Sequence, residues 1–178
     1  MAFTGVIGTL ILAGCRHPAV PGVESDGPNS LSLSSSSLED GRFPAALTCD
    51  GTNKSPALNW SAPPAGTRSF ALILYDPDAP GGGFVHWVLF NLPPDARALV
   101  ASAATQPDLP AGTRQGANDF GNVGYGGPCP SGTHHYVFTL LALDEMLDLP
   151  QRTTRATLDN AMLGHVLARG VLIASYSR

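Results

Sequence analysis

The sequence predicts a mainly β protein, a β-sandwich-like domain with a few short peripheral helices. Glycine and proline number 20 and 16 among the 178 residues, and so many turn formers are typical of short strands joined by turns. Several short apolar runs have the length of strands, whereas only one stretch has a helical period. The composition, 43% hydrophobic and 13% charged, predicts a folded domain rather than a disordered chain.

The charge balance excludes one broad class of partner. The formal net charge is −4, Lys54 is the only lysine, and the arginines are scattered along the chain. General nucleic-acid binding needs a basic face, so we expect no nucleic-acid partner.

The central strands are predicted from four apolar runs, at 70–75, 86–91, 133–143 and 171–176. The run at 70–75 is continuously apolar, which indicates a strand covered on both faces. A further strand is expected at 55–60, bounded by proline, and 96–112 is predicted to be loop with one short strand.

One helix is predicted, over residues 154–169. Leu158, Met162 and Val166 recur every four residues, and Leu163 lies beside them on the same predicted face. Gly170 is placed to end this helix.

The N-terminal region resembles a bacterial lipoprotein signal. Leu12-Ala13-Gly14-Cys15 follows an apolar run that is too short to span a bilayer, and Cys15 would become the lipid-bearing residue. We expect a signal segment at 1–15, a Ser/Pro/Gly-rich tether at 16–37 and the folded domain at 38–178. This organisation predicts an anchor in the bacterial cell envelope, facing the periplasm or the exterior. No Lys or Arg precedes the apolar run, so a cytoplasmic protein with an apolar N-terminus is the alternative.

Cys49 and Cys129 form an even pair once Cys15 is set aside. In an oxidising compartment such a pair is expected to form a disulfide. The alternative is two buried free thiols.

The stretch from Asp76 to Trp87 joins two predicted core strands but carries more polar groups than a turn requires. Asp76, Asp78 and His86 flank two prolines and three consecutive glycines. Either aspartate could cap the turn around Pro77. The combination of carboxylates with an imidazole at a strand end favours a small pocket for an anionic ligand.

The second half of this pocket is expected at the start of the run at 133–143. Side chains alternate along a strand, so His134 and Tyr136 share a face while His135 points away. The preceding loop at 116–132 is long, and its aromatic residues and cysteine predict an ordered, functional segment.

These motifs together resemble the phosphatidylethanolamine-binding protein family, also called the Raf kinase inhibitor protein family, in its bacterial branch. The resemblance is carried by Asp76-Pro-Asp-Ala-Pro with His86, by the segment Gly124-Tyr-Gly-Gly-Pro-Cys-Pro, and by His134-His-Tyr136. Further likenesses at 49–56, 163–168 and 176–178 extend it over nearly all of 38–178. Two positions depart from the family pattern, since His135 and Ser131 stand where arginine and proline are common.

The resemblance implies a β-sandwich of Greek-key type with a small cavity for phosphate-like anions. Carried over by position, Asp76, His86, His134 and Tyr136 line the cavity, and Asp78, Gly127 and Pro128 lie at its edge. The expected ligand is a phosphate-type anion or a phospholipid headgroup, with no cofactor. Whether the domain also modulates a partner protein is left open.

Elementary chemistry agrees with an anion site. Charged imidazoles at His86 and His134 and the Tyr136 hydroxyl would all donate to an oxyanion, and Asp76 would keep the imidazoles protonated. Binding should then weaken as the pH rises through the range near 6.5 in which histidine titrates. We expect a binding module and no enzyme. The alternative is a small hydrolase or a metal-dependent enzyme in the same pocket, although neither a Gly-x-Ser-x-Gly elbow nor a His-x-x-x-His spacing is present.

Overall fold

The computed structural model describes residue 1 and residues 29–104 and 109–178, which fold into two facing antiparallel sheets and one short α-helix. The smaller sheet has the order β1 (Leu33–Ser34), β2 (Leu58–Trp60), β5 (Ala98–Leu99). The larger sheet has the order β6 (Arg114–Gln115), β4 (Phe84–Leu92), β3 (Ser69–Asp76), β7 (Thr133–Leu143), β8 (Val166–Ser177). The helix α1 spans Arg155–Ala161, and a 3₁₀ turn spans Ala45–Leu47.

The larger sheet contains a Greek key. Strands β3 and β4 are consecutive and paired, and β6 pairs with the other edge of β4 after the chain has passed through β5 in the smaller sheet. Strand β7 then returns by a long connection to pair with β3, which completes the order of a Greek key. The predicted mainly β sandwich is therefore confirmed. The central position of β3 matters for function, because its C-terminal end lies between β4 and β7.

Strand β3 is buried on both faces, as its continuous apolar run predicted. Phe70, Leu72 and Leu74 point into the core between the two sheets. Ala71 and Ile73 point to the other side, where α1 and the segment after β7 cover the sheet. A strand that is covered on both faces needs an apolar residue at each position, which explains why polar and apolar residues do not alternate along β3.

The predicted helix at 154–169 is wrong in its second half. Thr154 caps α1 by accepting a hydrogen bond from the Thr157 N–H at 3.3 Å, but the helix ends at Ala161. Gly164 adopts a φ of +84°, which breaks the helical path. Residues from Val166 onward then pair with β7, so Val166 and Leu163 are exposed rather than buried. Pairing with a long neighbouring strand outweighs the local helical period.

Gly170, which was expected to end the helix, lies inside β8. A Cβ atom there would approach the Leu31 carbonyl oxygen to 2.8 Å, so only glycine lets the chain at 31 pack this closely against the strand.

The folded domain also begins earlier than the predicted boundary at 38. Leu31 and Leu33 are buried in the core between the sheets, and the Leu31 N–H donates to the Arg169 carbonyl at 2.9 Å. The serines of this segment have structural partners, since Ser35 Oγ donates to the Ala57 carbonyl at 2.6 Å and Ser37 Oγ accepts from the Ala57 N–H at 3.0 Å. The part of the predicted tether from 29 to 37 is therefore integral to the fold.

Residues 2–28 lie outside the described residues, and they include the predicted signal segment after residue 1, the lipidation residue Cys15 and the tether up to residue 28. Within the described part of the chain, no helix is long and apolar enough to cross a membrane.

The predicted disulfide between Cys49 and Cys129 is present, with the two Cα atoms 5.4 Å apart. The alternative of two free thiols is wrong. The bond joins the turn after the 3₁₀ segment to the end of the long loop at 116–132.

The earlier start of the folded domain and the earlier end of the helix can both be tested with one matched pair of substitutions. We predict that Leu31→Ala lowers the free energy of unfolding by about 2–4 kcal/mol, because a fully buried leucine leaves a cavity. Leu163→Ala should change it by less than about 0.5 kcal/mol, because Leu163 is 73% exposed. Urea denaturation of both variants measures this difference. Equal effects at the two positions would contradict the fold.

Candidate functional site

A cavity of about 210 Å³ opens at the end of the larger sheet where β3 ends and β7 begins. Four of its polar side chains come from three adjacent strands: Asp76 from β3, His86 from β4, and His134 and Tyr136 from β7. The other lining residues are Ala79, Pro80, Phe84, Phe120, Cys129, Pro130 and Ser131.

The strand register brings these four polar residues together. Leu74 pairs with Phe138, and both belong to the core between the sheets. Two residues further along each strand, Asp76 and Tyr136 point to the same side. The cavity is therefore the place where the inter-sheet core ends and polar side chains replace apolar ones.

Asp76 connects the turn after β3 to the start of β7. Its side chain is buried, with the residue only 3% exposed. Oδ1 accepts from the N–H groups of Asp78 and Ala79 at 2.9 and 3.0 Å, and Oδ2 accepts from His134 Nδ1 at 2.8 Å. The two roles considered for this residue thus coexist, because one oxygen caps the turn and the other orients an imidazole.

His134 is held in one orientation by this contact. Because a carboxylate only accepts hydrogen bonds, Nδ1 carries a proton and Nε2 is the ring nitrogen left for a ligand. His135 points away from the cavity, as strand alternation predicted, and its Nδ1 lies 2.7 Å from Asp78 Oδ2.

His86 is fixed in the same manner from the opposite wall. Its Nδ1 donates to the Gly126 carbonyl at 2.6 Å, and the residue is 3% exposed. Burial lowers the pKa of His86 below its usual range, and the Gly126 carbonyl and the Asp76 carboxylate offset this only in part. His86 is therefore neutral at pH 7, and the expectation that it is charged in the free protein is corrected.

Tyr136 contributes a hydroxyl group that has no partner. The residue is fully buried, and within the described residues its Oη makes no hydrogen bond. Burial raises the pKa of this phenol, and so do the charge of the neighbouring Asp76 carboxylate and its weak attraction for the hydroxyl proton, which falls outside hydrogen-bond geometry. The group therefore remains a donor at any physiological pH. A buried donor without an acceptor is unfavourable unless something fills the cavity.

An aromatic wall completes the cavity, and the sequence analysis did not assign it to the site. The rings of Phe84 and Phe120 lie 4.6 Å apart, and both pack against the His86 ring at 5.1 and 5.4 Å. Phe84 could have been found from strand alternation, since it precedes His86 by two residues and shares its face. Phe120 comes from the long loop, whose path no local pattern predicts.

The residues expected at the edge of the cavity do not line it. Asp78 is turned outward and accepts at 2.7 Å from both the backbone N–H and the Nδ1 of His135, and the backbone hydrogen bond is the main cause of its lowered pKa. Gly127 and Pro128 lie behind the wall, where the Gly127 N–H donates to Asn53 Oδ1 at 2.7 Å. The edge is instead formed by the next three residues, Cys129, Pro130 and Ser131.

The metal alternative gains no support from the geometry. Among the described residues, no group of three or more His, Cys, Asp or Glu side chains is arranged to hold a metal ion. Asp76 Oδ2 is already engaged by His134, and the Nδ1 atom of His86 by a carbonyl oxygen.

The fold and site define a class, namely β-sandwich proteins with a small polar cavity at one end of the larger sheet. The family model described as phosphatidylethanolamine-binding protein matches residues 34–177, and the chain belongs to this family.

Relatives and solved structures agree. The UPF0098 protein of Methanothermobacter thermautotrophicus is 48% identical over 139 residues, which cover 78% of this chain and 92% of the relative. LppC of Mycobacterium tuberculosis, provisionally named a lipoprotein, is 40% identical over 128 residues, covering 70% of this chain and 61% of the relative. The crystal structure of Escherichia coli YbcL, described as a new member of the mammalian PEBP family, superposes with a TM-score of 0.78 at 33% identity, covering 83% of this chain and 98% of YbcL.

The unpartnered hydroxyl leads to a stability prediction. We expect Tyr136→Phe to raise the free energy of unfolding of the ligand-free protein by about 1 kcal/mol, because it removes a buried donor that has no acceptor. Chemical denaturation in a buffer without oxyanions measures this. Tyr125→Phe is the matched control and should be destabilising, because the Tyr125 hydroxyl donates to the Leu47 carbonyl at 2.6 Å. A loss of stability in Tyr136→Phe would show that its hydroxyl is satisfied in the free protein.

Proposed function

We propose that this domain binds a small phosphate-type anion, free or as the headgroup of a phospholipid, and that it acts as a binding module. The observation that carries the proposal is the Tyr136 hydroxyl, a fully buried donor without a partner that lines a cavity. Native proteins rarely leave such a group unsatisfied, and ligand sites are a common reason.

The two imidazoles give the cavity an adjustable set of hydrogen-bonding groups. Each has its Nδ1 committed to the protein, and its Nε2 makes no other hydrogen bond among the described residues. When His134 is protonated, Nε2 donates to a ligand oxygen while Asp76 balances the added charge. When His86 is neutral, its Nε2 is an acceptor, which suits the O–H group of a singly protonated phosphate. A fully ionised anion has no such group, so His86 must take up a proton to donate to it.

The size of the cavity favours a small ligand. Pockets for drug-sized molecules measure roughly 300–1,000 Å³, and this cavity of about 210 Å³ is smaller. It suits a headgroup or a small phosphate ester, with the rings of Phe84 and Phe120 beside the substituent.

The contacts of His134 support binding rather than hydrolysis. In a hydrolase that uses a side-chain nucleophile, this imidazole would activate a serine, threonine or cysteine within hydrogen-bond reach. Among the described residues, His134 has no such partner, and its side-chain contact is Asp76.

We also propose that the domain works in the cell envelope, anchored through Cys15. The disulfide suits an oxidising compartment, and the relative LppC carries a lipoprotein name. Palmitate labelling of the expressed chain should be lost in Cys15→Ser, and labelling that is absent from the wild type would contradict the anchor.

Binding can be measured by thermal shift with phosphate and phosphoethanolamine. At a hundredfold excess over Kd, the wild type should gain about 2.7 kcal/mol of stability. Tyr136→Phe and His134→Ala should lower the affinity at least tenfold, because each removes a hydrogen bond to a charged ligand worth about 1.5–3 kcal/mol. His165→Ala is the matched control, since His165 contacts Asp144 at 2.8 Å away from the cavity and its loss should leave binding unchanged. Absence of any stabilisation of the wild type would remove the proposal.

The pH dependence follows from the lowered pKa of His86. Binding of an ionised oxyanion favours the protonated ring, so the affinity should rise as the pH falls below about 6.5, the usual value for histidine. Over the same range the ligand-free protein should lose stability, because its folded state favours the neutral ring.

Calorimetric titration with sulfate, which does not itself titrate in this range, measures the effect without a contribution from the ligand. In His86→Asn the amide can still donate to Gly126, but the group no longer titrates, so the pH dependence should become shallower. A wild-type affinity that stays constant between pH 5 and 8 would contradict this mechanism.

A further inference from the structure

One wall of the cavity is formed by a segment with few attachments of its own. Residues 129–131, here called the rim segment, connect the long loop to β7, and all three line the cavity. Within the described residues, no backbone group of the rim segment makes a hydrogen bond. The position of this wall therefore depends on the packing of the buried Pro130 and on the attachments at its two ends.

The chain immediately before the rim segment is firmly attached. The Gly126 N–H donates to the His86 carbonyl at 2.9 Å, and the Gly127 N–H donates to Asn53 Oδ1 at 2.7 Å. The Cys49 N–H donates to the Pro128 carbonyl at 3.1 Å. After the rim segment, Thr133 enters the sheet opposite Ser177.

Between these attachments, Pro130 is buried against its surroundings, and the disulfide is the one covalent link from the rim segment to a distant part of the described chain. Cys129 is bonded to Cys49, and its Sγ also accepts a hydrogen bond from the Arg178 guanidinium at 3.5 Å, an exposed contact that is weaker than the covalent bond.

The turn that carries Cys49 is itself well anchored, so the bond ties the rim to a fixed point. Thr48 is buried, and its hydroxyl donates to the Ala45 carbonyl at 2.9 Å. Asp50 accepts from the Tyr176 hydroxyl at 2.7 Å and pairs with Arg178 at 3.1 Å, which joins the turn to the end of β8.

We infer that the Cys49–Cys129 disulfide is a positioning element of the anion site: it holds the rim segment against the cavity, and breaking it weakens ligand binding while the sandwich stays folded. The inference rests on the proposed function. The hydrogen bonds at 126–128 and the pairing of β7 do not involve the disulfide. Loss of the disulfide should therefore let the rim segment move while the two sheets stay folded. Both cysteines are exposed, so the bond is accessible to reductants in solution.

The experiment compares three proteins by calorimetric titration with inorganic phosphate, at a temperature at which near-UV circular dichroism shows each to be folded. They are the oxidised wild type, Cys49→Ser/Cys129→Ser, and Leu143→Ala. Leu143 is buried at the far end of β7, about 30 Å from Thr133 by strand length, so its substitution destabilises the fold without touching the rim.

We expect the double variant to bind phosphate at least fivefold more weakly and Leu143→Ala to bind like the wild type. A second readout separates positioning from stability. Loosening the rim admits water to the buried His86 ring, so the pKa of His86 measured by NMR should rise toward its usual value in the double variant only. If the double variant does not fold, wild type reduced with a phosphine, with two free thiols counted, takes its place, and reoxidation should restore the affinity.

Failure of this inference differs from failure of the proposed function. No phosphate binding by the oxidised wild type removes the anion site itself. Binding by the wild type that is unchanged after loss of the disulfide, or is weakened equally in Leu143→Ala, overturns the positioning role and leaves the anion site in place.

Discussion

The hydrogen bond between the Asp76 carboxylate and His134 Nδ1 is the contact on which the rest of the site depends. It is 2.8 Å long and part-buried, with the Asp76 side chain buried, and the second carboxylate oxygen holds the turn that follows β3. A buried carboxylate is tolerated only when its oxygens are satisfied, and here two backbone N–H groups and one imidazole satisfy them. The same residue therefore shapes the turn, fixes the orientation of His134 and places a negative charge beside the ligand position.

The topology explains why this contact can form. Strand β3 is central, so its last residue lies beside the beginning of β4 and of β7. The side chains that face the core along these strands continue the apolar stripe up to Leu74 and Phe138, and polar groups follow at the sheet end. A preformed cavity with an unpartnered Tyr136 hydroxyl is the result. A buried hydroxyl without a partner is locally unfavourable, and such arrangements are commonly found at functional sites.

Much of the fold and site could be predicted from sequence because the signals were local. Alternation separated His134 from His135, the apolar run at 70–75 indicated a fully covered strand, and the cysteine count indicated the disulfide. The misassigned regions depend on distant partners instead. Residues 166–169 continue a helical period but pair with β7, and Leu31 is buried in the core between the sheets, where its N–H bonds to β8. The neutral state of His86 follows from its burial beside the rings of Phe84 and Phe120. These rings come from different segments of the chain, so no local sequence pattern predicts that they meet at His86.

The central claim is that a phosphate-type anion occupies the cavity between Tyr136 and the two imidazoles. A crystal structure of the protein soaked with molybdate, a tetrahedral oxyanion that is readily located by its scattering, tests this most directly. The account predicts one molybdate in the cavity, with oxygens within about 3 Å of Tyr136 Oη and of the Nε2 atom of His134. Molybdate bound elsewhere on the protein, with the cavity unoccupied, would contradict the account.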